Sequence, residues 1–399
     1  MRAPDAQRWP HPALTILILA LAPAVGLGIG RFAYSLVLPD MRDSLGWSYS
    51  SAGFMNTVNA AGYLAGALVA ARLSARFGLF ALIQAGTLAC VLSLALCGLT
   101  ADFTLLSFAR LVTGLGAALA FVAGGALSAI IAQTRPARAS FLLSLFYAGP
   151  GAGIALSGLI SPFTLAAFGP GSWWIVWLLL AGLSAVIMLP LVKAPAGSAS
   201  GPMARPAAGL FSPGSIAVYL AGYFCFGVGY IAYMTFMIAY VRDGGGGPVA
   251  QATFWCLVGL SAFASPWLWS RLIARARAGG ATAVLLAINA FGAALPLFGH
   301  DMWLLAISAL VFGSAFFAVV NSTTAFARTN YPPEAWPTAI AAMTIVFGIG
   351  QTFGPIIMGA ITDALGSLTW ALVLSAATLA LGAVAALLQR PLRTKDSDV

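Results

Sequence analysis

The sequence predicts an all-α integral membrane protein whose twelve transmembrane helices form two six-helix pseudo-repeats. Composition is the first observation: the 399 residues are 61% hydrophobic and only 7% charged, with a mean hydropathy of +0.95, which excludes a sizeable soluble domain. The second is a series of twelve apolar stretches, each able to supply the roughly 20 residues that a bilayer core requires. The third is an internal echo. Gly28-Ile29-Gly30-Arg31-Phe32-Ala33-Tyr34 recurs 199 residues later as Gly227-Val228-Gly229-Tyr230-Ile231-Ala232-Tyr233. The same offset carries Arg72-Leu73-Ser74-Ala75-Arg76 onto Arg271-Leu272-Ile273-Ala274-Arg275, and Leu111-Val112-Thr113-Gly114 onto Leu310-Val311-Phe312-Gly313. Parallel repeats in a membrane chain are the signature of a carrier.

The twelve stretches are expected near 13–39, 48–71, 77–99, 103–132, 138–166 and 172–192, then 213–241, 248–270, 280–299, 301–327, 335–362 and 367–389. The first is read as a span and not a cleavable leader, because it is long, contains Arg31 and belongs to the repeat. Two bundles follow, 1–193 and 213–399. Between them, the Pro-, Gly- and Ser-rich stretch 194–212 is the one sustained loss of hydrophobicity and reads as a flexible linker. A fourth echo, Gly149-Pro150 against Gly354-Pro355, falls at an offset of 205. It suggests a small insertion in the second half and a matched pair of helix bends.

The net charge of +9 is distributed as a topology signal, not as a nucleic-acid surface. With the N-terminus in the cytoplasm, Arg72, Arg76, Arg135, Arg138, Lys193, Arg271, Arg275, Arg328 and Arg390 all fall inside, and only Arg42 and Arg242 fall outside. Both termini are therefore expected to be cytoplasmic, in a multi-pass protein of the inner membrane. Trp47, Trp173, Trp174, Trp303 and Trp370 stand where spans meet an interface and read as belt anchors. Cys90, Cys97, Cys225 and Cys256 lie in apolar segments without metal-ligand spacing. With two histidines at segment ends and no intramembrane carboxylate pair, no catalytic centre, metal or cofactor is implied.

Arg110-Leu111-Val112-Thr113-Gly114-Leu115-Gly116-Ala117 in the fourth span and Gly149-Pro150-Gly151-Ala152-Gly153 in the fifth, set in twelve spans with a basic loop after the second, resemble the major facilitator superfamily. Gly28 to Tyr34 followed by Leu38-Pro39-Asp40-Met41 is similar to its YbfB/YjiJ-type branch. The resemblance covers essentially the whole chain. It implies alternating access, a cavity lined by helices one, four, seven and ten, and an RxxxGxG arginine that in related transporters holds the backbone of the first helix. One departure stands out: the loop after span two has Ala75, and its repeat Ala274, where the family places an Asp.

Placing an Arg deep in a span costs about 2.5 to 3.5 kcal/mol, so Arg31 and Arg110 together represent roughly 5 to 7 kcal/mol that something must offset. Each sits about 10 Å inside the outer boundary at 1.5 Å per residue. Their repeat equivalents are Tyr230 and Ala309, so neither helix needs an Arg to pack. The two guanidinium groups are expected to face one cavity, where they match a carboxylate or phosphate; for Arg110 the alternative is the packing role that the resemblance implies. Tyr34, Tyr147, Tyr230, Tyr233, Asn56, Asn59 and Gln351 supply the neutral polar groups, and Trp255, the equivalent of Asn56, caps an apolar part of the cargo. Gly62 and Gly66, with Gly149, Pro150, Gly354 and Pro355, are assigned to close helix packing and hinging.

These residues predict a monomeric secondary transporter of a small organic anion, a carboxylate with an apolar portion. The Gly-Pro element and the aromatic residues support a second reading, an exporter of amphiphilic compounds. Every acidic residue lies in a loop, a terminus or the end of a span, so no dedicated proton carrier is expected.

Overall fold

The computed structural model describes residues 11–193, 211–275, 278–332 and 335–392. The proposed linker therefore lies outside the described residues except for Phe211 and Ser212. Among the described residues, twelve helices are long and apolar enough to cross a membrane. They are α1 Pro12–Leu45, α2 Tyr49–Phe77, α3 Leu79–Leu99, α4 Phe103–Ala132, α5 Pro136–Phe168, α6 Trp173–Val192, α7 Pro213–Asp243, α8 Pro248–Arg275, α9 Gly280–Phe298, α10 Met302–Asn330, α11 Thr338–Leu365 and α12 Leu368–Leu388. Each expected stretch is one of these helices.

Short polar breaks end and start the helices by ordinary capping chemistry. Ser48 accepts from the Ser51 amide at the start of α2, and Asp102 from the Leu105 amide at the start of α4. These contacts satisfy amides that have no partner inside the helix. Gly46 (φ 66°) and Gly366 (φ 66°) close α1 and α11 in the left-handed conformation that other residues adopt at a cost. One feature was not foreseen. Residues Ala24–Phe32 within α1 form a π-helix. Pro23 immediately before it lacks an N–H to donate, and Gly26, Gly28 and Gly30 fall inside it.

In the first half α1 packs on α5 and α4, α2 on α4, and α3 on α4 and α6. In the second, α7 packs on α11 and α12, α8 on α10, and α9 on α10 and α12. The halves meet where α2 lies along α11 and α5 lies along α8, with α1 and α7 crossing at the centre. At that crossing the Ser35 hydroxyl donates to the carbonyl of Met234. These residues are 199 positions apart, so the repeat offset appears as a direct contact between equivalent residues on the pseudo-twofold axis.

The glycines assigned to packing stand at close approaches. A methyl group at Gly62 would lie 2.2 Å from the Leu111 carbonyl oxygen, one at Gly66 2.6 Å from that of Leu115, and one at Gly149 2.3 Å from that of Ala20. The matched-bend expectation fails. Gly28 abuts Gly153 and the Pro150 carbonyl, whereas its repeat partner Gly227 abuts Gly350 and the Phe347 carbonyl. Pro150 is thus equivalent to Phe347, at an offset of 197, and not to Pro355. The Pro355 carbonyl instead lies against Gly53 of α2, while Gly354 packs on Val228. Among the belt tryptophans, Trp303, Trp370 and Trp174 are exposed, but Trp173 is buried in the core.

Candidate functional site

The two halves share a narrow cavity of about 50 Å³, open on one side. It is lined by Leu27, Arg31 and Phe32 of α1, Tyr63 of α2, Phe121 of α4, Phe226 and Tyr230 of α7, Phe316, Phe317 and Val320 of α10, and Phe347 and Gln351 of α11. Eight of these twelve side chains are aromatic, and one, Arg31, carries charge.

Arg31 is 3% exposed. Its Nη2 donates to Gln351 Oε1 at 2.8 Å, and the hydroxyl of Tyr230 donates to the same oxygen at 2.8 Å. Repeat-equivalent residues therefore converge on one amide of α11. With two donors on its oxygen, the amide nitrogen of Gln351 is left without a partner, and so is Arg31 Nε. No acidic side chain lies within ion-pair distance of Arg31 among the described residues. The ring of Tyr63 lies 5.3 Å from its guanidinium carbon, which offsets part of the charge burial.

Arg110 stands at the same level but on a different face, outside the cavity wall. Its Nη1 donates to the Gly30 carbonyl (2.6 Å), and its Nη2 to the Arg31 carbonyl (3.2 Å) and to Asn56 Oδ1 (3.1 Å). The π-helix ends at Phe32 and a new α-helical stretch begins at Tyr34. The carbonyls of Gly30 and Arg31 face that break, and Arg110 supplies the donors that α-helical continuation would have supplied. The rings of Tyr34 (4.9 Å) and Trp177 (5.7 Å) cover its guanidinium. The expectation of two arginines facing one space is thus corrected. Three of the five N–H groups of Arg110 are spent on the backbone of α1 and on Asn56, and Nε is without a partner.

The other expected site residues divide in the same way. Tyr230 and Gln351 line the cavity with Arg31. Tyr34 donates to the Ala52 carbonyl (2.8 Å) and Asn59 to that of Arg110 (3.0 Å). Asn56 donates to Thr235 Oγ1 across the halves (2.8 Å). Tyr233 bonds Ser308 (2.6 Å) and stacks on Phe312. These four are buried helix-to-helix connections. Tyr147 packs with Phe121 and Phe146 beside the cavity. Trp255 is fully buried, against Gly158 of α5, where its ring has no access to a cargo. Tyr63 was missed, although it follows Asn59 by one helical turn. So were Phe226, Phe316 and Phe347, which nothing in the sequence separates from the other phenylalanines.

The cavity extends from Arg31 toward the basic ends of the helices, since Leu27, Phe226 and Phe347 each lie one turn on that side of Arg31, Tyr230 and Gln351. The opposite, acidic end is sealed. Asp363 of α11 accepts from the amides of Tyr49 (2.8 Å) and Ser50 (2.8 Å) at the start of α2. Arg242 pairs with Asp43 at 2.8 Å, and the Tyr49 hydroxyl donates to Asp243 at 3.1 Å. Asp40 accepts from Gly171 and Trp173, at the start of α6, instead of facing the cavity.

Among the described residues, twelve helices in two pseudo-symmetric sixes around a shared central cavity, closed at one end, form the architecture of the major facilitator type. The chain belongs to the family described as the uncharacterised MFS-type transporter YbfB, whose model matches residues 23–387. Among solved structures it is similar to a mutant of the nucleoside transporter NupG, with 13% identity, a TM-score of 0.73 and coverage of 94% of this chain and 99% of that one. It is also similar to a bacterial homologue of the human lysosomal transporter Spinster in an inward-facing, unoccupied conformation (17% identity, TM-score 0.68, 96% of each chain). The occupied form of that homologue gives a TM-score of 0.63 at 17% identity. These likenesses are of fold. No curated protein matches the chain at a significant level.

Proposed function

We propose that the protein is a secondary transporter that moves a small organic anion with an apolar portion across the cytoplasmic membrane by alternating access. The observation that carries this reading is Arg31, a buried cation without an acidic partner among the described residues, at the wall of a cavity that both halves build. A cation so placed is costly in a membrane unless a cargo neutralises it. The basic helix ends, toward which the cavity extends, are the cytoplasmic ends by the positive-inside asymmetry, so the conformation is inward-facing with both termini inside.

The aromatic wall favours a second reading, an exporter of amphiphilic compounds. A thermal-shift screen of purified protein against organic anions, organic cations and neutral amphiphiles separates the two. A ligand at about 100 times its Kd adds roughly 2.7 kcal/mol of apparent stability. Shifts with anions alone support the first reading. Shifts with neutral and cationic amphiphiles, and none with anions, replace it with the second.

A further inference from the structure

We infer that the cargo is a planar aromatic monocarboxylate, an inference that rests on the organic-anion reading above and narrows it. Three features of the cavity lead there. The first is charge. Arg31 is the single charged residue in the wall, and Arg110 spends its donors on carbonyls and an amide. One carboxylate balances one guanidinium. A second carboxylate, or a phosphate monoester carrying nearly two charges, would be left desolvated among aromatic rings without a counter-charge.

The second feature is the set of free donors. Arg31 Nε and Gln351 Nε2 are buried and unpartnered, although the two side chains are already joined through Nη2 and Oε1. Buried polar atoms without partners are rare and call for an explanation. A carboxylate has two oxygens, and it takes up a guanidinium N–H and an amide N–H together, whereas a neutral ring offers nothing to either. These donors lie on opposite halves of the transporter, so an anion that engages both would tie the halves together.

The third feature is the shape of the apolar wall. Phe226, Tyr230 and Phe347 lie within 22° of parallel, with ring centroids 4.8 to 5.5 Å apart. Phe316 continues the series at 16° and 6.3 Å from Tyr230. Rings so arranged prefer an offset-stacked neighbour. A flat ring lying parallel to them extends the series, and a puckered saturated ring does not.

The test is a binding measurement on the full purified chain with four probes of similar size at neutral pH: benzoate, cyclohexanecarboxylate, terephthalate and benzamide. Benzoate is expected to bind about two- to tenfold tighter than cyclohexanecarboxylate, the range that aromatic pairing supplies. It is expected to bind at least about tenfold tighter than benzamide, which lacks the charge-assisted bonds, and tighter than terephthalate. Equal binding of cyclohexanecarboxylate overturns planarity and leaves the anion reading standing. Equal binding of benzamide overturns both. Terephthalate binding as tightly as benzoate overturns the single-charge argument. Absence of benzoate binding, with other organic anions active in the screen, overturns the aromatic class alone. In Phe347→Leu and Phe226→Leu, whose ligand-free melting temperatures report folding, the preference for benzoate over cyclohexanecarboxylate is expected to fall toward one. An unchanged preference in both variants overturns the role of the wall.

Discussion

Replacing Arg110 by Gln tests whether this side chain holds α1 in shape or touches the cargo. The substitution removes bonds to the Gly30 and Arg31 carbonyls and to Asn56, and a Gln that reaches them replaces at most part of the set. Hydrogen bonds between membrane helices average about 0.6 kcal/mol each, so three give a lower bound of about 2 kcal/mol. Bonds to a charged donor run to about 1.5 to 3 kcal/mol, but relief of charge burial offsets part of the larger figure. The expected loss is about 2 to 4 kcal/mol, read as a ligand-free melting temperature about 2 to 5 °C below the parent. Arg110→Lys keeps the charge and loses the planar fork, so it should not restore stability. If Arg110→Gln melts with the parent while anion affinity collapses, and Lys restores that affinity, Arg110 is a cargo contact and the geometric reading is wrong.

Other outcomes follow from the same structure. Gly114→Ala puts a methyl 1.9 Å from the Asn59 carbonyl oxygen and should cost about 1 to 3 kcal/mol or block folding, whereas Gly182→Ala, with nothing within 4 Å, should be neutral or slightly stabilising by melting temperature. In a cysteine-free background, Ser44→Cys should react with an impermeant thiol reagent on intact cells and Ser270→Cys only after permeabilisation; the reverse pattern inverts the topology. Asp40→Asn and Asp363→Asn should lower stability by about 1 kcal/mol each, because both carboxylates cap helix starts. Both should nevertheless leave the pH dependence of transport in proteoliposomes intact; loss of that dependence with binding preserved would identify a proton-carrying carboxylate.

The twelve spans and their duplication were legible because hydropathy and a fixed offset are properties of whole segments. The Ser35–Met234 contact then follows from the repeat itself. A two-residue echo carried too little information: Gly149-Pro150 and Gly354-Pro355 look alike, yet contact register pairs Pro150 with Phe347. The π-helix left a trace in Pro23 and in the glycines at 26, 28 and 30, but composition alone does not say which way a loosened helix winds. Depth was readable for both arginines. Facing was not, since burial distinguishes Arg31 from Arg110 only through the groups around each, and the π-helical break that gives Arg110 its task is a backbone feature. The aromatic wall was hidden because phenylalanine is common throughout a chain with 25 of them.

Arg31 is the residue that the proposed anion recognition depends on most directly. Arg31→Gln removes one hydrogen bond, to Gln351, and an unpaired buried charge, so the variant should insert and melt close to the parent or above it. Titration calorimetry of parent and variant with an anion that stabilises the parent is the direct measurement. Affinity is expected to fall by at least about tenfold, the equivalent of one charge-assisted interaction. An Arg31→Gln protein that folds and binds the anion with the parent's affinity would contradict the proposed anion recognition.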